Sequence, residues 1–208
     1  MDIALLIDGS LVVTKENFLA FIYFTKAFTA SLNVSKDETH VAVTVYGDAP
    51  FLVSDFNDYY NQSSLEDALD RVMYPASLQS NLGKALQYLA SNVYNTSDGR
   101  PNVPKVLMIL TASKSHDDIT VASQLLLKHY NVTIFIIAVG DQYSLGQLNQ
   151  IGSDPDNQHV LTLDSGKDIS FYVAIFKDKL CQGKNMSKWF RPISYFGISV
   201  DLMNLLRG

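Results

Sequence analysis

Few groups in this chain are equipped for chemistry, and most of them stand apart from one another. The four histidines, His40, His116, His129 and His159, share neither a metal-ligand spacing nor one face of a helix. Cys181 is the only cysteine, so no disulfide can close within the chain. His116 lies beside Ser113 and Ser115, a Ser–His arrangement that nothing else in the sequence supports. No Gly-x-Gly-x-x-Gly follows the first apolar run, and neither a Gly-x-x-x-x-Gly-Lys-Ser/Thr loop nor a Gly-x-Ser-x-Gly elbow occurs. An enzyme is therefore not expected, and a hydrolase or nucleotide panel should be blank. What remains is oxygen at the ends of apolar runs. Asp8 and Ser10 stand in Asp8-Gly9-Ser10-Leu11-Val12, Ser80 in Gln79-Ser80-Asn81-Leu82-Gly83-Lys84, and a third group in Leu110-Thr111-Ala112-Ser113-Lys114-Ser115-His116-Asp117-Asp118.

The elements that must position these groups follow from periodicity. Short apolar runs at 3–7, 106–110 and 132–139 alternate with amphipathic segments, the pattern of a parallel sheet covered on both faces. Phe18, Phe21, Phe24 and Phe28 recur at helical spacing within 15–32 and form a core-facing stripe. Runs at 40–46 and 51–56 are joined only by Gly47-Asp48-Ala49-Pro50, so they pair as an antiparallel hairpin. Ser64 is expected to cap a short helix. Further helices are expected at 81–93, 117–129, 144–151 and 167–180, with a short strand at 159–163. Asp117 and Asp118 are expected to cap the helix that follows them, and Asp141 to serve a turn. The fold expected is α/β: a doubly wound, mostly parallel six-stranded sheet with one antiparallel edge strand and helices on both faces. One domain spans 1–182. The tail at 183–208 holds Trp189, Phe190, Tyr195 and Phe196, and its apolar residues follow neither period. It either docks on the domain, begins a following one, binds a partner, or lies beyond a true exon end.

Doubly wound sheets bind ligands beyond the carboxyl ends of their strands, where the three oxygen-bearing loops fall. In order, spacing and register with the strands, these loops resemble the von Willebrand factor type A (integrin I-like) family, most closely the A domains of collagen VI, matrilins and related matrix proteins. The likeness continues through Asn131 to Asp141 and Ile151-Gly152-Ser153-Asp154-Pro155. The resemblance implies a metal-ion-dependent adhesion site built from Asp-x-Ser-x-Ser, a threonine and a further aspartate. Asp8 and Ser10 match the first aspartate and serine, and Ser80 keeps a hydroxyl at the threonine position. Val12 replaces the second serine and Ala112 the second aspartate. A hard dication wants oxygen ligands in near-octahedral geometry, so this residual set (Asp8, Ser10, Ser80) is expected to hold Mg2+ or Mn2+ weakly or not at all. Asp8 is then either a leftover ligand or a cap for loop N–H groups. No cofactor is expected.

The resemblance implies a non-enzymatic binding or adhesion module in the extracellular matrix or at a cell surface, with collagen or another matrix protein as partner. A cytosolic scaffold domain and an incomplete gene product are the alternatives. A formal charge of −5 and a pI near 5.2 argue against nucleic acid, and no apolar run is long enough to span a bilayer. No signal peptide precedes the first core strand, yet sequons at Asn33, Asn61, Asn95, Asn131 and Asn185 favour secretion and N-glycosylation. An upstream segment is therefore expected. Family domains often carry a cysteine before the first strand and another at this end. Cys181 would then pair with a missing upstream cysteine or with another molecule; a lone buried thiol is the simpler alternative.

Overall fold

The computed structural model describes residues 1–95, 100 and 102–182. Strand β1 (Asp2–Asp8) leads through a 3-10 turn (Leu11–Val13) into α1 (Lys15–Ala30). The hairpin β2 (His40–Tyr46) and β3 (Pro50–Ser54) follows, then α2 (Gln62–Asp70) and α3 (Leu82–Tyr88), the latter continued by a π-helical turn (Leu89–Val93). Next come β4 (Lys105–Thr111), α4 (Thr120–Gln124) with its own π-helical turn (Leu125–His129), and β5 (Val132–Val139). The chain then passes through α5 (Leu145–Ile151), the single turn α6 (Asp156–His159), β6 (Val160–Leu163), a 3-10 stretch (Gly166–Phe171) and α7 (Tyr172–Gln182). The six strands lie in the order β3-β2-β1-β4-β5-β6. Every pairing is parallel except β2 with β3, as so short a connection requires; Pro50, expected in the turn, already belongs to β3.

Burial on both faces explains why β1 is continuously apolar. Ile3, Leu5 and Ile7 join the core under α1, α2 and α7, whereas Ala4 and Leu6 face α3, α4 and α5. The phenylalanine stripe fills the first of these layers, and all four rings are fully buried. Each contributes about 2–3 kcal/mol relative to exposure. Phe24 stacks on Phe28 at 5.9 Å and meets Phe176 of α7 edge-on at 6.4 Å, so the final helix is locked onto α1 by aromatic contacts.

Several local expectations are corrected. Asn61, not Ser64, caps α2: its side-chain oxygen accepts the Ser64 N–H at 2.9 Å from an extended backbone (φ −148°, ψ 152°). Two capping-type residues three apart compete, and the outer one gains an extra turn of helix. The β3 strand stops at Ser54 because the Asp55 N–H turns to the Asp58 carboxylate at 2.7 Å. The helix expected from 117 begins only at Thr120, because Asp117 is engaged elsewhere. The strand expected from 159 starts at Val160, after α6. The tail at 183–208, with Asn185, and the side chain of Cys181 lie outside what is described.

Candidate functional site

The strand order reverses direction between β1 and β4, and the crevice at their carboxyl ends is where a doubly wound sheet presents its functional loops. Asp8 closes β1 there and is completely buried. A buried carboxylate must be neutralised or fully hydrogen-bonded, and here four donors converge on it. The Ser10 N–H donates to Oδ1 at 3.0 Å. The hydroxyls of Ser113, Thr111 and Ser80 reach Oδ2 at 2.5, 2.8 and 3.4 Å. Ser10 Oγ lies 3.4 Å from Ser113 Oγ, which brings all three loops into one hydroxyl cluster. Of the five positions compared with the adhesion site, Asp8, Ser10 and Ser80 are therefore brought together. Ala112 is buried and offers only a methyl group, while Val12 points its apolar side chain towards solvent, 41% exposed.

Thr111 and Ser113 were not expected among the site residues. Their signal was weak but present: Thr111 is the final residue of β4, in line with Asp8, and Ser113 follows two residues later with its side chain on the same side. Ser113 also ends the Ser–His reading. Its hydroxyl is committed to Asp8, whereas Nδ1 of the exposed His116 accepts the Ser80 N–H at 3.1 Å. Ser115 donates instead to Asp117 at 2.7 Å.

Asp117 ties the second and third loops together. Its two carboxylate oxygens accept the Gly83 and Lys84 N–H groups at 2.7 and 2.8 Å. It thus caps α3, 33 residues earlier in the chain, rather than the helix that follows it. A carboxylate suits this position because the first N–H groups of a helix have no internal partner and carry its positive end. Asn81, the N-cap residue of α3, makes no side-chain capping bond; its amide donates to the Asp48 carbonyl at 3.0 Å. Asp118 lies one residue before Ile119, the N-cap of α4, and accepts the Thr120 N–H at 2.9 Å, which holds its carboxyl below the usual range. Asp141 is exposed in its turn and accepts from Gln142 at 2.8 Å.

The segment before α3 is strapped to the first loop. The Leu11 N–H donates to the Ser77 carbonyl at 2.8 Å, the Ser77 N–H to Gly9 at 3.1 Å, and the Tyr74 hydroxyl to the Ser10 carbonyl at 3.0 Å. These three bonds fix the segment before α3 against the first loop.

Beneath it, the Tyr46 hydroxyl donates to Thr111 Oγ1 at 3.4 Å. Burial first, and the negative Asp8 second, push this phenol well above its ordinary value near 10. Burial does the same to Tyr94. A tyrosine that holds its proton longer folded than unfolded adds stability that is intact below the unfolded value and is lost as pH rises past it. Alkaline titration should show a late class of tyrosines ionising together with loss of circular dichroism. Complete ionisation near the ordinary value, with the fold intact, would contradict these placements.

A mostly parallel, doubly wound sheet with three loops converging at its switch point is the architecture of the integrin I-like class. The von Willebrand factor type A domain model matches residues 2–173, and the chain belongs to that family. Cuticlin-6 of Caenorhabditis elegans is 28% identical over 79% of this chain and 28% of its own length. Mouse matrilin-2 is 27% identical over 86% of this chain and 19% of its own length. The Xenopus laevis collagen alpha-1(XXI) chain is 28% identical over 87% and 18%. This chain thus spans under a third of each of these relatives. Among solved structures, proximal thread matrix protein 1 from the mussel byssus superposes with a TM-score of 0.79 at 21% identity, over 86% of this chain and 48% of that one.

Proposed function

We propose that this domain is a non-enzymatic, matrix-binding adhesion module that works outside the cell without a bridging cation. Its partner is collagen or another matrix protein. The family membership and the matrix proteins among its relatives support the adhesive role. The metal-free part rests on one observation, the saturation of Asp8. A magnesium ion needs about six oxygens in near-octahedral geometry and gives up its water reluctantly. Here the one carboxylate already accepts from four donors, and Val12 and Ala112 present carbon where two ligands would stand. The residues do not fit the ion, and binding falls to the faces and loops. The test is solid-phase binding of the domain to immobilised collagens with Mg2+ or with EDTA. Saturable binding that EDTA leaves unchanged is expected. Loss in EDTA would overturn the metal-free reading, and no binding to any collagen would overturn collagen as partner.

Restoring the missing oxygens should restore the ion. Val12→Ser combined with Ala112→Asp is expected to gain a Mn2+-dependent rise in melting temperature that the parent lacks. At a hundredfold excess over Kd, a ligand stabilises by about 2.7 kcal/mol, or about 5–10 °C for a domain of this size. A double variant indifferent to Mn2+ would show that more than these two positions blocks the site.

Glycosylation tests the location. Asn61 and Asn131 are exposed, and the Asn61 cap uses only its side-chain oxygen, leaving the amide nitrogen available. Asn33 instead donates its amide to Glu38 at 3.0 Å. Protein isolated from its own tissue is expected to carry glycan at Asn61 and Asn131 and to shift in mobility on enzymatic deglycosylation. Unglycosylated protein in the cytosol would favour the scaffold alternative.

A further inference from the structure

A cleft of about 550 Å3 opens between the edge strand β3 and the segment 71–77, beside the wall that straps the first loop. Val45, Phe51, Val53, Val72 and Tyr74 make it apolar, and its volume suits a large side chain or a small ligand. Of the described residues that line it, Arg71 alone is charged. Among the described residues the Arg71 guanidinium makes neither an ion pair nor a hydrogen bond. An unpaired cation at the mouth of an apolar cleft recognises an anion held next to an apolar group. The lips distinguish a small molecule from a protein. Phe51 and Met73 flank the opening at 67% and 85% exposure, apolar surface that a molecule inside the cleft would leave in water and a protein partner would cover.

We infer that this cleft docks a protein partner that inserts an aromatic or branched aliphatic side chain and sets a neighbouring carboxylate on Arg71. The inference rests on the adhesion reading for its biological setting and on the cleft alone for its chemistry. Tyr74 and Ser77, which line it, are also hydrogen-bonded to the first loop, so the cleft has a fixed wall rather than a mobile one.

The test is a titration of the isotope-labelled domain, followed by amide chemical shifts. Three blocked tetrapeptides serve as probes: acetyl-Gly-Phe-Asp-Gly-amide, its Asn version, and its Ala version with phenylalanine removed. The acidic aromatic peptide is expected to shift amides at 49–53 and 71–77. The Asn peptide should bind about fivefold more weakly, as loss of one partly exposed ion pair implies, and Arg71→Ala should cost the same factor. The Ala peptide should not bind. Ala49→Trp, at an exposed lining position, should block the cleft while the rest of the spectrum stays native. No shift at millimolar peptide, shifts elsewhere, or equal response to all three peptides would overturn the inference. Binding to immobilised collagen, read in parallel, separates the two readings. No peptide shift at the cleft together with intact collagen binding overturns the cleft and leaves adhesion standing. Peptide binding without binding to any matrix protein overturns adhesion and leaves the cleft.

Discussion

Asp8→Ala is expected to lower the stability of the domain by about 3 kcal/mol even in EDTA, and the sign is the informative part. In a site built to hold a dication, removing a carboxylate relieves repulsion once the metal is stripped, so the variant should be neutral or more stable. Here Asp8 accepts one N–H and three hydroxyls in a fully buried setting. Hydrogen bonds to a charged group contribute about 1.5–3 kcal/mol each, and a buried donor left alone costs about 1–3 kcal/mol. Against that stands the desolvation of the carboxylate itself, several kcal/mol, which the alanine variant recovers. With four donors orphaned together, the loss wins. A fall of about 6–12 °C in melting temperature follows for a domain of this size. An unchanged or raised melting temperature in EDTA would mean that the hydroxyls do not stabilise the carboxylate.

Gly83→Ala is expected to be about equally damaging, against the direction that helix propensity alone would give. Gly83 lies in the first turn of α3, where alanine should gain about 1 kcal/mol in an exposed helix. A Cβ at this position would press on the Asp118 carbonyl, with the Asp117 carboxylate 3.0 Å away. The obstacle is backbone and cannot rotate aside, so the second and third loops must separate. Overpacking of this kind costs about 1–3 kcal/mol, and the separation also strains the two N–H bonds to Asp117. A net loss of about 3 kcal/mol should appear as a lower urea midpoint with an unchanged slope. A higher midpoint would show that the close approach of these loops is not needed.

How much of this was legible in the sequence depended on how local the cause was. Both faces of β1 and the antiparallel edge could be read from hydrophobic patterning and one four-residue turn, because pleat and connection length act over a few residues. The convergence of Asp8, Ser10 and Ser80 could be read from their places at strand ends and from the family pattern. The rest depended on partners far apart in the chain. Ser113 reaches Asp8 across 105 residues, and neither end carries a local mark of it. Asp117 looked like the cap of its own helix, since an aspartate before a helix is usually that; only the approach of α3 shows which N–H groups it serves. Asn61 and Ser64 were equally good caps by type, and the decision lay in the backbone around them.

On the proposed metal-free reading, the protein's own hydroxyls hold the Asp8 carboxylate and leave no place for an adhesive cation. Calorimetric titration of Mn2+ and Mg2+ into the unmodified, metal-stripped domain tests it most directly. Only the heat of dilution is expected up to millimolar metal; a saturable isotherm with micromolar affinity would show that the site still takes the ion.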